Sequence, residues 1–94
     1  MAIGLLTLHI QLPGCKSLKE KRSRLKPLLA RLHRQFNISA AELDFQDTWQ
    51  EALIGCAALS NAPLHSQQLL QQVAGWVEQN WPDIQVIDQH IDLY

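Results

Sequence analysis

Every lysine and arginine of the chain lies between positions 16 and 34: Lys16, Lys19, Lys21, Arg22, Arg24, Lys26, Arg31 and Arg34. Among these eight cations falls one acid, Glu20, which leaves the stretch a net charge of +7. Residues 35–94 hold eight acids and no Lys or Arg, a net charge of −8, and residues 1–15 carry no charged side chain. The overall charge of −1 and the pI near 6.4 therefore average two opposed regions. Clustered cations are the footprint expected for a phosphate-rich partner, because Arg grips two phosphate oxygens at once and Lys acts as a point charge. The plain alternative is a charged helix face that is merely solvated. Segregation this complete favours a surface for anions or for an acidic partner.

The acidic counterpart is Glu42-x-Asp44-x-x-Asp47, followed by Trp49 and Glu51. Carboxylates so spaced could bind a hard cation or share acid–base work, but aspartates in a turn more often bond to nearby backbone N–H groups. Trp49 could stack on a base, yet packing in the core or in a dimer is the favoured reading. His9, His33, His65 and His90 show no metal-ligand spacing and read as solvent-facing. Cys15 sits beside the basic segment with no base or resolving cysteine near it, and Cys56 reads as a small core residue. There is no GxxxxGK[ST] loop, GxGxxG, HExxH or CxxC, so no metal or cofactor is expected and an enzyme is the minority reading.

The elements that position these residues follow from periodicity. Residues 3–12 alternate as a strand, with Leu6, Leu8, Ile10 and Leu12 on one face, and Pro13-Gly14 ends it. Ser17-Leu18-Lys19-Glu20 forms a capping box. The helix it opens runs to about Phe36, with Leu18, Leu25, Leu28, Leu29, Leu32 and Phe36 as its apolar stripe. Pro27 predicts a kink or a loose first half rather than two separate elements. Lys19, Arg22, Lys26 and His33 follow one edge of the stripe, while Arg24, Arg31 and Arg34 lie on the opposite flank. Arg22 is expected to be partly buried, either gripping an anion or pairing with an acid of the following loop. Residues 38–45 and 52–60 read as strands joined by turn chemistry, Asn61 as the cap of a second helix, and 84–93 as a last strand. The order β-α-β-β-α-β gives an α+β, ferredoxin-like plan: a four-stranded antiparallel sheet with two helices on one face. The strands lack the aromatic signature of an RNA-recognition motif, so contact with RNA is expected through the helix.

A chain of 94 residues, 47% hydrophobic and 18% charged, suits one domain spanning 1–94. Two cysteines are too few for a disulfide scaffold, and no run approaches a membrane span, so a cytoplasmic protein without membrane contact is expected. Ile3, Leu5, Leu53 and Leu59 leave apolar surface on the side away from the helices, which marks self-association or a partner.

The Pro13-Gly14 turn, Ser17-Leu18-Lys19-Glu20-Lys21-Arg22, Phe36-Asn37, Glu42, Gln46-Asp47-x-Trp49-Gln50, Gly55 and Ser60-Asn61 together resemble the YlxP-like family of small bacterial proteins over nearly the whole chain. The resemblance implies a ferredoxin-like fold, a domain of unknown function, and a role near the ribosome or RNA, since genes of the family often lie beside those for ribosome-maturation and transcription factors. It singles out Ser17, Lys19, Lys21, Arg22, Asp47, Trp49 and Gln50. Glu51 departs from it, standing where relatives often carry a basic residue.

The expectation is a non-catalytic factor that binds structured RNA or a ribosomal subunit through Lys16, Lys19, Lys21, Arg22, Lys26, Arg31 and Arg34, with Asp47, Trp49 and Gln50 as a second surface. The alternative is a protein-interaction module or homodimer, formed through the open sheet face or an edge, whose basic helix docks an acidic protein surface. A ligand sensor or enzyme built on the Asp47/Trp49 turn ranks third.

Overall fold

The computed structural model describes residues 1–94. Its elements run β1 (Ala2–Gln11), α1 (Leu18–Gln35), β2 (Ser39–Asp44), β3 (Glu51–Ser60), α2 (Pro63–Asn80) and β4 (Gln85–Leu93). The sheet order is β2-β3-β1-β4, with every neighbouring pair antiparallel. This is the ferredoxin-like α+β arrangement that the element order predicts. Alternation along β1 divides the sheet: Leu6, Leu8 and Ile10 are buried under the helices, while Ile3, Leu5, Thr7 and His9 face the other way.

The core fills the space between the sheet and both helices. Leu25, Leu28 and Leu32 from α1 and Leu70, Val73, Ala74 and Val77 from α2 meet Leu6, Leu8, Ile10, Ile54 and Cys56. Phe36 meets the edge of Trp76 with ring centroids 5.9 Å apart, so the two helices share an aromatic seam. α2 comes close to β1 at Gly4, where an added Cβ would lie 2.8 Å from Leu70 Cδ1 and 3.4 Å from Ser66 Cβ.

Two local expectations are corrected. Asn61 is not the cap of α2; Ala62 occupies that position without a side-chain bond. Ser60 fixes the approach to the helix, accepting from Ala62 N–H at 3.3 Å and bonding the buried Ser66 hydroxyl at 2.6 Å, with Pro63 setting the first turn. Pro27 leaves α1 one continuous helix from Leu18 to Gln35, as expected, with the proline on its exposed side, but the expected looseness is absent. The first half of α1 is tied down rather than loose. Ser17 accepts from Glu20 N–H at 3.0 Å, as the capping box predicts. Arg24 donates to the carbonyls of Pro13 and Asp83 at 3.0 and 2.5 Å.

Replacing Gly4 by Ala should overpack the β1–α2 contact and lower stability by about 1–3 kcal/mol, read from urea unfolding midpoints; an unchanged midpoint would show that Leu70 yields freely. Cys56, fully buried on β3, has its thiol pushed from 9.0 up to about 12 by burial. The unfolded thiol ionises first, so stability from this group is intact below about pH 9 and falls between about pH 9 and 12. The alkaline loss of stability should be smaller in Cys56→Ala than in the wild type, compared by denaturant titration across that window.

Candidate functional site

The face of α1 packed on the sheet includes a cation. Lys21 lies on the same line as Leu18, Leu25, Leu28 and Leu32, at spacings of three and four, and is 1% exposed. Its Nζ donates to the Phe45 carbonyl at 2.5 Å and sits 2.7 Å from Glu42 Oε2 on β2. The second contact is an ion pair, and its Glu42 Oε2 is itself inaccessible to solvent. Lys21, expected among the anion-binding residues, is thus a structural residue. The sign of this was legible, because Lys21 falls midway along the leucine stripe, a place where a lysine needs a buried partner. The buried partner expected for Arg22 belongs to its neighbour, and Arg22 itself is exposed.

Phe45, which receives the Lys21 bond, opens the turn between β2 and β3. Its φ of 65° is left-handed, a strained state for a bulky residue. Asp44 Oδ1 accepts the Phe45 N–H at 2.8 Å, the local backbone bond expected of a turn aspartate, and the Phe45 carbonyl also accepts Thr48 N–H at 2.9 Å. The Phe45 ring stacks on His9 at 5.2 Å. A bulge between Glu42 and Asp44 sends these two carboxylates to opposite faces: Glu42 towards α1, Asp44 opposite Leu53 on the open face. Glu51 bonds His9 Nε2 at 3.0 Å. The acidic row of the sequence is therefore divided among separate tasks, and no three potential metal ligands converge anywhere in the chain.

The remaining expected cations stand on the outside of α1 and the loop before it. Lys16, Lys19, Arg22, Lys26, Arg31 and Arg34 are exposed, and none makes an ion pair. The pairs that do involve α1 belong to Lys21 and Arg24, the latter 3.7 Å from Asp83 and 3.8 Å from Glu20. Arg31 lies 5.7 Å over the Trp76 ring. Arg22 and Lys26, with Leu25, Leu29 and Glu42, line a groove of about 290 Å³ beside β2. His33, expected to face solvent on this edge, is exposed but accepts the Ala40 N–H of β2 at 3.0 Å.

The turn joins this surface at one end of the molecule. Gln50 donates to the Cys15 carbonyl at 3.3 Å and accepts Leu12 N–H at 2.8 Å through its own carbonyl. Asp47, Trp49 and Gln50 thus sit beside the loop carrying Lys16, so the two surfaces expected separately are neighbours. Trp49 is 50% exposed rather than packed in the core. On the open sheet face, Leu59 is 67% exposed and Ile3 38%, while Leu5 and Leu53 are half-buried. Leu43 of β2 covers Gly55 on that face, in a space a Cβ would fill.

A βαββαβ sheet with the exposed lysines and arginines confined to one helix and the loop before it defines a small ferredoxin-like protein with a basic face. Residues 3–91 match the family described as "Protein of unknown function (DUF503)". The chain is similar to "Uncharacterized protein YlxP" of Bacillus subtilis (strain 168), 41% identical over 69 residues that cover 73% of this chain and 74% of that protein. The chain belongs to this YlxP-like DUF503 family. No helix is long and apolar enough to cross a membrane.

Removing one partner of the buried pair strands the other charge. Glu42→Ala should cost about 3–5 kcal/mol. The double variant Lys21→Met with Glu42→Leu should be more stable than Glu42→Ala. A Glu42→Ala loss under about 1 kcal/mol in chemical denaturation, well below the range for a broken buried pair, would remove the pair from the list of structural determinants.

Proposed function

We propose that the chain is a non-catalytic factor that binds structured RNA, with a ribosomal subunit as the particle, through the exposed cations of α1 and its leading loop. One observation carries this reading. Six cations, Lys16, Lys19, Arg22, Lys26, Arg31 and Arg34, stand exposed on α1 and its leading loop with no ion pair of their own, while Glu20 and Glu42, the carboxylates on and beside α1, are paired with Arg24 and Lys21. Among the other acids, Glu51, Asp88 and Asp92 lie at sheet positions opposite Gln11, His9 and Leu5. Uncompensated like charges repel one another, and a polyanion relieves that repulsion while releasing its own counterions.

The flanks of α1 differ in reach. Lys19, Arg22 and Lys26 stand on the side beside β2, with Lys16 just ahead of the helix, and form the phosphate-contacting row. Arg31 and Arg34 extend the field on the other flank, Arg31 steadied by the Trp76 ring. Lys21 and Arg24 take no part, because the fold holds both.

Co-sedimentation with ribosomal subunits across a salt series tests this. Contact with four to six phosphates predicts a log–log salt slope of about −4 to −5. Lys19→Glu with Lys26→Glu should abolish co-sedimentation, while leaving stability within about 0.5 kcal/mol because neither side chain has a partner to lose. Absence of binding even at low salt would overturn the RNA reading in favour of an acidic protein as the partner of α1.

A further inference from the structure

We infer that the cleft at the β2–β3 turn takes a single unpaired nucleobase of RNA, with Trp49 as its stacking surface. The inference rests on the RNA-binding reading above and gives it a specificity that a row of cations lacks. The cleft, about 520 Å³, is lined by Gln11, Asp47, Thr48, Trp49, Gln50 and Glu51. It is roomy enough for a base, and half of the Trp49 side chain is open to solvent there. An indole that the core does not use, set on a loop, is the side chain on which unpaired bases stack.

The chemistry around the indole divides as a nucleotide does. Asp47 and Glu51 repel phosphate but accept hydrogen bonds from the amino and imino groups on base edges, and the side chains of Gln11, Thr48 and Gln50 can both donate and accept. Lys16 adjoins Cys15, whose carbonyl is bonded to Gln50, so the cations begin where the cleft ends. The base has the carboxylate side and the phosphodiester has the lysine side. A free phosphate would leave the indole unused, and a base locked inside a duplex cannot reach it.

The loop is also held in place before any ligand arrives. Lys21 and Thr48 N–H both bond the Phe45 carbonyl, and Gln50 is bonded to residues 12 and 15. Little ordering is left for binding to impose, which favours a platform over an adaptable loop.

Fluorescence anisotropy with two labelled RNAs tests the assignment: a hairpin with an unpaired loop, and a fully paired duplex of equal length. Trp49→Ala should weaken the hairpin about tenfold and leave the duplex within about twofold, whereas Trp49→Phe keeps most of the hairpin affinity. The hairpin should quench tryptophan emission in the wild type, and the quench should vanish in Trp49→Ala. Equal effects of Trp49→Ala on both RNAs, no effect on either, or unquenched emission on a bound hairpin would overturn the cleft assignment and leave the cationic surface standing. If neither RNA binds at low salt, the RNA reading itself fails and the inference falls with it.

Discussion

The ionic contact between Lys21 and Glu42, taken out of water between α1 and β2, is the interaction on which the working end of this protein depends. α1 must bury a continuous stripe against the sheet, and the fourth apolar contact that its spacing calls for is supplied by a lysine stem. The ammonium at its tip cannot remain unpaired there. Glu42 reaches it from the sheet, and the Phe45 carbonyl accepts its hydrogen bond. One side chain thereby ties the helix, the edge strand and the turn together. The left-handed backbone at Phe45 is held by the same set of bonds, since Asp44 accepts its N–H while Lys21 and Thr48 N–H converge on its carbonyl. A buried pair of this type adds little net stability over a hydrophobic equivalent. Here it fixes where the turn sits relative to the cations.

With Lys21 and Arg24 held inside the structure, the basic helix separates into two populations. Arg24 joins α1 to the loops on either side through the Pro13 and Asp83 carbonyls. The six exposed cations make no ion pair, and of them Arg31 lies over the Trp76 ring. The acids that could have neutralised them lie mostly on the sheet, several bonded to histidines: Glu51 with His9, and Asp92 with His90, each at 3.0 Å. The molecule is therefore polar from one face to the other, cationic on the outside of α1 and anionic on the sheet. The exposed Ile3, Leu43 and Leu59 belong to the sheet side, so apolar and cationic surfaces do not compete for one partner.

The element order, the β1 alternation and the leucine stripe of α1 are legible in the residues alone, because those patterns report local periodicity and the burial of apolar surface, which each segment carries in its own residues. The sequence also located the cations, since charge segregation is a property of composition along the chain. What it could not assign was the use of each charged or polar residue. Lys21 and Arg22 are adjacent cations, one buried and one exposed. Helix phase puts Lys21 on the leucine stripe, but the acid that pairs with it depends on where β2 places Glu42, and the bulge before Asp44 sets that placement. Asn61 does not cap α2, because the path from β3 into the helix puts Ala62 at the cap and brings the Ser60 hydroxyl to the Ala62 N–H and to Ser66. Trp49 had the composition of a core residue and the position of a surface one. Each of these assignments depends on partners distant in sequence, whose approach is fixed by strand register and helix packing and not by local preference.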